Sequence, residues 1–150
     1  LKKKKIKIFF LIKKCSIFLK NLVESNFKII QIKKDSYAEI SKRLSKINCY
    51  YFILDHYNFP YSLEKKILKL VNKIIVIEDF PKKKHIADLI IDQNFNRSKK
   101  DYFGSNKKKC KLLIGPKYTL IDPKLKNLLV KKNKNKISNI LICFGGYEWT

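Results

Sequence analysis

The stretch that decides the fold is Tyr50-Tyr51-Phe52-Ile53-Leu54-Asp55-His56-Tyr57-Asn58-Phe59. Its first five residues are aromatic, β-branched or aliphatic without a polar break, as in a strand buried on both faces. An acid, an imidazole and a phenol then follow at once. Such an ending fits the carboxyl edge of an open parallel sheet, where ligands bind in the crevice outside the strand ends. Leu54 is then the last buried residue, and Asp55, His56 and Tyr57 are the first groups to reach the crevice.

The same pattern recurs on either side. Ile6 to Ile12, Phe27 to Ile32 and Lys73 to Ile77 are further apolar runs that read as strands. Between them, Ile17, Phe18, Leu19, Leu22 and Val23 fall at helical spacing, as do Tyr37, Ile40, Leu44 and Ile47. Leu63, Ile67, Leu68 and Val71 predict a third helix, with Ser62 as its N-cap and Glu64 in its first turn. The order β-α-β-α-β-α-β predicts an α/β fold of Rossmann-like type, a mostly parallel sheet with helices on both faces. Beyond Asp79 the alternation lapses. Ala87 to Ile91 and Leu112 to Ile114 read as short strands, Asn94 to Lys109 as a surface loop and Pro123 to Val130 as a short helix. The expected organisation is a first domain over 1–130, a charged linker over 131–137 and the opening strand of a truncated second domain over 138–150.

With 150 residues, the chain is long enough for one sizeable core. Its formal charge of +23 would suit nucleic acid or an anionic membrane surface. Only Arg43 and Arg97 are arginine, however, whereas base-edge and bidentate phosphate recognition favour the guanidinium fork. The lysines are spread through every segment among many Ile and Asn, the pattern expected of a nucleotide bias in the coding DNA. A dedicated nucleic-acid surface is therefore not the expectation. The four cysteines, Cys15, Cys49, Cys110 and Cys143, are far apart, which suits reduced thiols in a cytoplasmic protein better than a zinc site or disulfide framework. No apolar run reaches the roughly 18 residues of a membrane span.

Three successive strands each deliver an acid to one edge: Asp55 after Leu54, Glu78-Asp79 after Ile77, and Asp92 before Gln93-Asn94. Each could equally cap a loop or helix. His56 and His85, the only histidines, could be packed or solvent-facing residues as readily as functional ones. Glu78 and Asp79 point to opposite faces of a strand, so they do not specify a catalytic carboxylate pair. There is no metal-ligand spacing, no Gly-x-Ser-x-Gly and no Gly-x-Gly-x-x-Gly after the first strand. These patterns alone lead to a nucleotide-binding type of fold with an unidentified ligand.

Taken together, Leu54-Asp55-His56-Tyr57, Ile77-Glu78-Asp79, Lys84-His85-Ile86-Ala87-Asp88, Asp92-Gln93-Asn94, Gly115-Pro116-Lys117-Tyr118 and Phe144-Gly145-Gly146 resemble one family. It is that of the UDP-2,4-diacetamido-2,4,6-trideoxy-β-L-altropyranose hydrolases of pseudaminic acid biosynthesis, related to spore-coat polysaccharide proteins and GT-B glycosyltransferases. The resemblance implies two Rossmann-like domains with the site in the cleft between them. It also implies hydrolysis without metal or cofactor, with inversion, releasing UDP and a free sugar. By the same resemblance Tyr57 lines the substrate site, and Asp55, His56, Asp79, His85, Asn94 and Tyr118 bind substrate or shape its loops. Gly145 and Gly146 would let the backbone approach the diphosphate.

Departures from the family pattern bear on activity. The family's loop after the first strand reads Gly-x-Gly-His-Ile-x-Arg-Cys and carries the general base. Here the corresponding stretch is Phe9-Phe10-Leu11-Ile12-Lys13-Lys14-Cys15, with Leu11 at the position of that His. Tyr147 and Glu148 follow the glycine pair, and Asp122 precedes Pro123 where Arg is usual. The expectation is a UDP-sugar hydrolase by family whose present chain has no catalytic residue and does not turn over, either because the gene is interrupted or because hydrolysis has been lost and binding kept. A GT-B glycosyltransferase or a non-catalytic nucleotide-sugar-binding relative is the alternative.

Overall fold

A computed structural model describes residues 6–14, 16–24, 26–81, 83–102, 109–122 and 124–125. The chain divides into two compact units, Leu1–Thr119 and Leu120–Thr150. In the second unit the described residues form a turn in which the Asp122 carboxylate accepts from the Lys124 N–H and the Asp122 carbonyl from the Leu125 N–H. The linker expected over 131–137, the strand expected over 138–150, Gly145 and Gly146 lie outside the described residues. Most of the helix expected from Pro123 to Val130 does too.

The first unit runs β1 (Phe9–Ile12), α1 (Ile17–Glu24), β2 (Lys28–Gln31), α2 (Tyr37–Leu44), β3 (Tyr51–Leu54), α3 (Tyr61–Ile67), β4 (Lys73–Ile77), β5 (Leu89–Asp92) and β6 (Lys111–Ile114). Every strand pairing among the described residues is parallel. β1 pairs with β2 in a two-stranded sheet, and β3-β4-β5-β6 form a four-stranded one. This is the α/β class expected from the alternating pattern. Among the described residues the crossover from β4 to β5 contains no helix, and that from β5 to β6 contains a 3₁₀ turn (Lys99–Tyr102), which is why the periodicity lapses after Asp79.

Strand period sets the core. Register aligns Leu54 with Val76, and Val76 with Ile90, while Ile74 lies opposite Phe52. These residues fill one face of the sheet, against Ile40 and Leu44 of α2 and Leu63 and Ile67 of α3. Complete burial of each such aliphatic side chain contributes roughly 1.5–3 kcal/mol. Coverage of the second face is uneven: at the β3 edge Tyr51 and Ile53 are 59% and 60% exposed.

Local chemistry explains the helix starts. Ser36 caps α2 by accepting from the Glu39 N–H at 3.4 Å. The Glu39 carboxylate reaches back to the N–H groups of Lys33 (2.8 Å) and Lys34 (2.9 Å), in the manner of a capping box. Those two bonds hold its carboxyl below the ordinary value. α3 departs from expectation. Its N-cap is Pro60, whose φ of −70° is preset for entry, and Ser62 lies inside the first turn. At the far end, Gly115 adopts φ 98°, a left-handed conformation that suits glycine where β6 turns into the 3₁₀ segment Pro116–Tyr118.

Candidate functional site

The carboxyl ends of the strands carry two adjoining groups of polar side chains. The first belongs to β1, β2 and β3. A cavity of about 560 Å³ is lined there by Leu11, Ile12, Lys13, Lys14, Lys33, Asp35 and His56. The Lys33–Asp35 segment is fixed by the Glu39 bonds from α2, and the Gln31 amide donates to the Lys13 carbonyl at 3.3 Å, tying the exits of β2 and β1 together. Asp35 Oδ2 then lies 2.5 Å from Lys13 Nζ and 3.2 Å from His56 Nε2, as ion-pair contacts. His56 Nδ1 accepts the Asn58 N–H at 3.0 Å, so the ring presents its proton from Nε2.

The second group belongs to β3, β4 and β5. Tyr57 is 66% exposed, its ring packs edge-on against Phe80 at 5.8 Å, and its hydroxyl donates to Asp79 Oδ2 at 3.3 Å. Asp79 Oδ1 accepts from the Asn94 amide at 3.1 Å, and the same amide donates to Asp92 Oδ1 at 2.8 Å. Asp92 is fully buried. It also accepts the Asn94 N–H and the Tyr102 hydroxyl at 2.7 Å, and it forms an ion pair with the Arg97 guanidinium at 3.3 Å. Arg97 in turn donates to the Asp79 carbonyl at 2.9 Å. Lys83 pins the Asp-His-Tyr loop by donating to the carbonyls of Tyr57 (2.7 Å) and His56 (3.4 Å).

Electrostatics follow these contacts. The Asp79 charge, and the hydrogen bond to it, push the Tyr57 phenol above its ordinary value. Burial first, and then the bond to Asp92, push Tyr102 far up. Asp79→Asn is expected to bring the Tyr57 titration back down toward that of a free phenol while leaving Tyr102 high. NMR of ring-labelled tyrosine checks this, and an unmoved Tyr57 titration would show that the hydroxyl is not held by Asp79.

Beneath this rim lies a buried ion cluster. His85 is 2% exposed, with Nδ1 2.7 Å from Glu64 Oε1 and Nε2 2.6 Å from Glu78 Oε2. Glu64 Oε2 accepts the Ile86 N–H, and Glu78 Oε1 accepts the N–H groups of Asp79 and Phe80. Burial opposes the charge on His85, yet the two carboxylates outweigh it and raise its pKa to about 9. Burial likewise opposes charge on Glu78, and His85 with the two amides brings its carboxyl below the ordinary range.

Tyr57, Asp79 and Asn94, read from the sequence as site residues, are thus joined in one hydrogen-bonded string. His56 lines the neighbouring cavity, and Asp55 is exposed beside it. Tyr118 is half-buried beyond the end of β6 under Lys117, and among the described residues it makes no bond to the string. His85 is enclosed by carboxylates and sits below the rim, where it orients the Glu78-Asp79 corner. Leu11 lies inside β1 and packs on the core. Phe9-Phe10-Leu11-Ile12 has strong strand propensity and no glycine to break it, so the strand expected over Ile6 to Ile12 runs through Leu11. Asp35 and Lys13 were not singled out by motif reading, nor were Asp92, Arg97 and Tyr102 given site roles. Among the described residues no cluster of His, Cys, Asp and Glu could hold a metal ion, and no helix is long and apolar enough to cross a membrane.

No protein-family model matches the chain. Over 126 residues, 83% of its length, it is 25% identical to the UDP-2,4-diacetamido-2,4,6-trideoxy-beta-L-altropyranose hydrolase of Campylobacter jejuni. The match covers 45% of that protein, so the chain spans under half the length of this relative. The relationship is distant.

Proposed function

We propose that the chain is the first, Rossmann-like domain of a GT-B-type nucleotide-sugar hydrolase. Its ligand is UDP-2,4-diacetamido-2,4,6-trideoxy-β-L-altropyranose or a close analogue, and its binding wall is the Tyr57–Asp79–Asn94 string. The observation that carries this reading is the exposed Tyr57 phenol, oriented by Asp79 at the carboxyl edge of a parallel sheet, in a chain distantly similar to such a hydrolase. Donors and acceptors from three strand ends suit a ligand with hydroxyl and acetamido groups. The exposed Tyr57 and Phe80 rings offer apolar faces to its methyl groups.

Catalysis is a separate matter. With Leu11 packed in β1, the chain has no general base at the place where the family carries one, and such a base is worth roughly 10²–10⁴ in rate. The 150-residue chain is therefore proposed to bind without hydrolysing. The test measures binding of the UDP-sugar by calorimetry and release of UDP in parallel. Expected are saturable binding, weakened about tenfold by Tyr57→Phe, and no UDP release. Absence of binding would overturn the nucleotide-sugar reading, and UDP release by the chain would overturn the assignment of Leu11. Turnover that requires an added sugar acceptor would move the reading to a glycosyltransferase.

A further inference from the structure

We infer that the cavity at the ends of β1, β2 and β3 is a binding site for a phosphate-bearing small molecule, with Lys13, Lys14 and Lys33 as its cations and Asp35 as a built-in counter-ion. Lysines are dense throughout the chain, so charge alone does not single this cavity out. What does is the convergence of three of them, from two different strand exits, on one concave site. The one carboxylate lining it is already engaged. Both partners of Asp35, Lys13 and His56, take the same oxygen, Oδ2. Lys14 and Lys33 form no ion pair within 4 Å among the described residues, although the Lys33 charge is felt by the Glu39 carboxylate, so three lysines face the single carboxylate that lines the cavity. The Glu39 bonds to the Lys33 and Lys34 amides hold one side of it in place before any ligand arrives.

His56 adds a further N–H. Its Nδ1 is occupied by the Asn58 amide, which leaves the proton on Nε2, 3.2 Å from Asp35 Oδ2 as an ion-pair contact without an aligned hydrogen bond. An incoming phosphate oxygen can take over Lys13 from Asp35 and accept this N–H, which has no aligned acceptor among the described residues. A neutral sugar would have to leave that ion pair intact. The inference goes beyond the hydrolase reading and does not need turnover: a chain that fails to recognise the UDP-sugar can still bind phosphate here.

The two histidines make the test clean. Imidazole NMR of the full chain during titration with inorganic phosphate, UMP and UDP follows His56 as reporter, while the enclosed His85 reports that the fold is intact. Expected are saturable movement of the His56 ring with His85 unmoved, and at least about tenfold weaker binding in Lys13→Ala/Lys33→Ala, as for the loss of a charge-assisted hydrogen bond. Asp35→Asn is expected to bind severalfold tighter, because the competing carboxylate is gone. Saturation by inorganic phosphate as tight as by UDP supports the site and names free phosphate as its ligand; tighter UDP binding names the nucleotide. A His56 ring that does not saturate with any of the three overturns the inference. So does an equal loss of affinity in Lys99→Ala/Lys100→Ala, which would mean diffuse attraction. A weaker Asp35→Asn variant overturns it as well, since Asp35 would then be holding the ligand itself.

Discussion

Replacing His85 with alanine is expected to lower the unfolding free energy by about 3–5 kcal/mol, the range for removing one partner from a buried ion cluster. The variant leaves Glu64 and Glu78 buried with no cation between them. A urea midpoint shift equivalent to less than about 1 kcal/mol, typical of exposed pairs, would show the cluster to be solvated. The pH dependence has a defined sign. His85 is raised from 6.5 to about 9, so its contribution is complete below 6.5 and is lost as pH rises through about 9. At about 1.4 kcal/mol per unit, the loss is on the order of 3 kcal/mol. Glu78 is lowered from 4.5, so its contribution is present above 4.5 and is lost as pH falls through its folded value. Stability should therefore be greatest between these limits. His85→Gln should reverse the slope on the acid side, because one of the two buried carboxylates must then take up a proton to remain folded. A variant with the parent's pH profile would assign that dependence to other groups.

Asp92→Ala is expected to be the second most damaging change, at about 3–5 kcal/mol. One fully buried carboxylate accepts from the Tyr102 hydroxyl and from two nitrogens of Asn94, and it forms an ion pair with Arg97 at 3.3 Å. Loss of Asp92 also frees the Asn94 amide that orients Asp79, so ligand binding at Tyr57 should fall along with stability. Asp92→Asn keeps the shape and some acceptor capacity, so its cost should be clearly smaller. Equal urea midpoints for the two variants would mean that the charge on Asp92, and not its hydrogen-bonding geometry, holds the loop.

Strands were legible where apolar runs are uninterrupted. Lys73 to Ile77 appears as read, and Tyr51–Leu54 within one residue. At β1 only Phe9–Ile12 is strand, because Ile6 and Ile8 are exposed and have no core to join. Past the polar ending of β3, Tyr57 meets Asp79 and Asn94 from the next two strand ends. The Glu64–His85–Glu78 cluster was not legible, although one signal existed. Glu64 stands three and four residues before Ile67 and Leu68, so it falls on the apolar side of α3, where an acid requires a buried partner. Lys13 and Asp35 carried no comparable signal, since they are ordinary loop residues until β1 and β2 place them side by side.

By itself the sequence determined the α/β class, the order of the elements and the edge at which polar groups emerge, because strand and helix periodicity and the abrupt end of each apolar run are local properties of the chain. Tertiary structure alone decided which of those groups meet. Asp79 bonds Tyr57 and Asn94, His85 is enclosed and Asp35 joins Lys13 to His56, because parallel crossovers bring residues 15 to 22 positions apart within hydrogen-bonding distance. Partner choice depends on that closure, and spacing along the chain does not encode it.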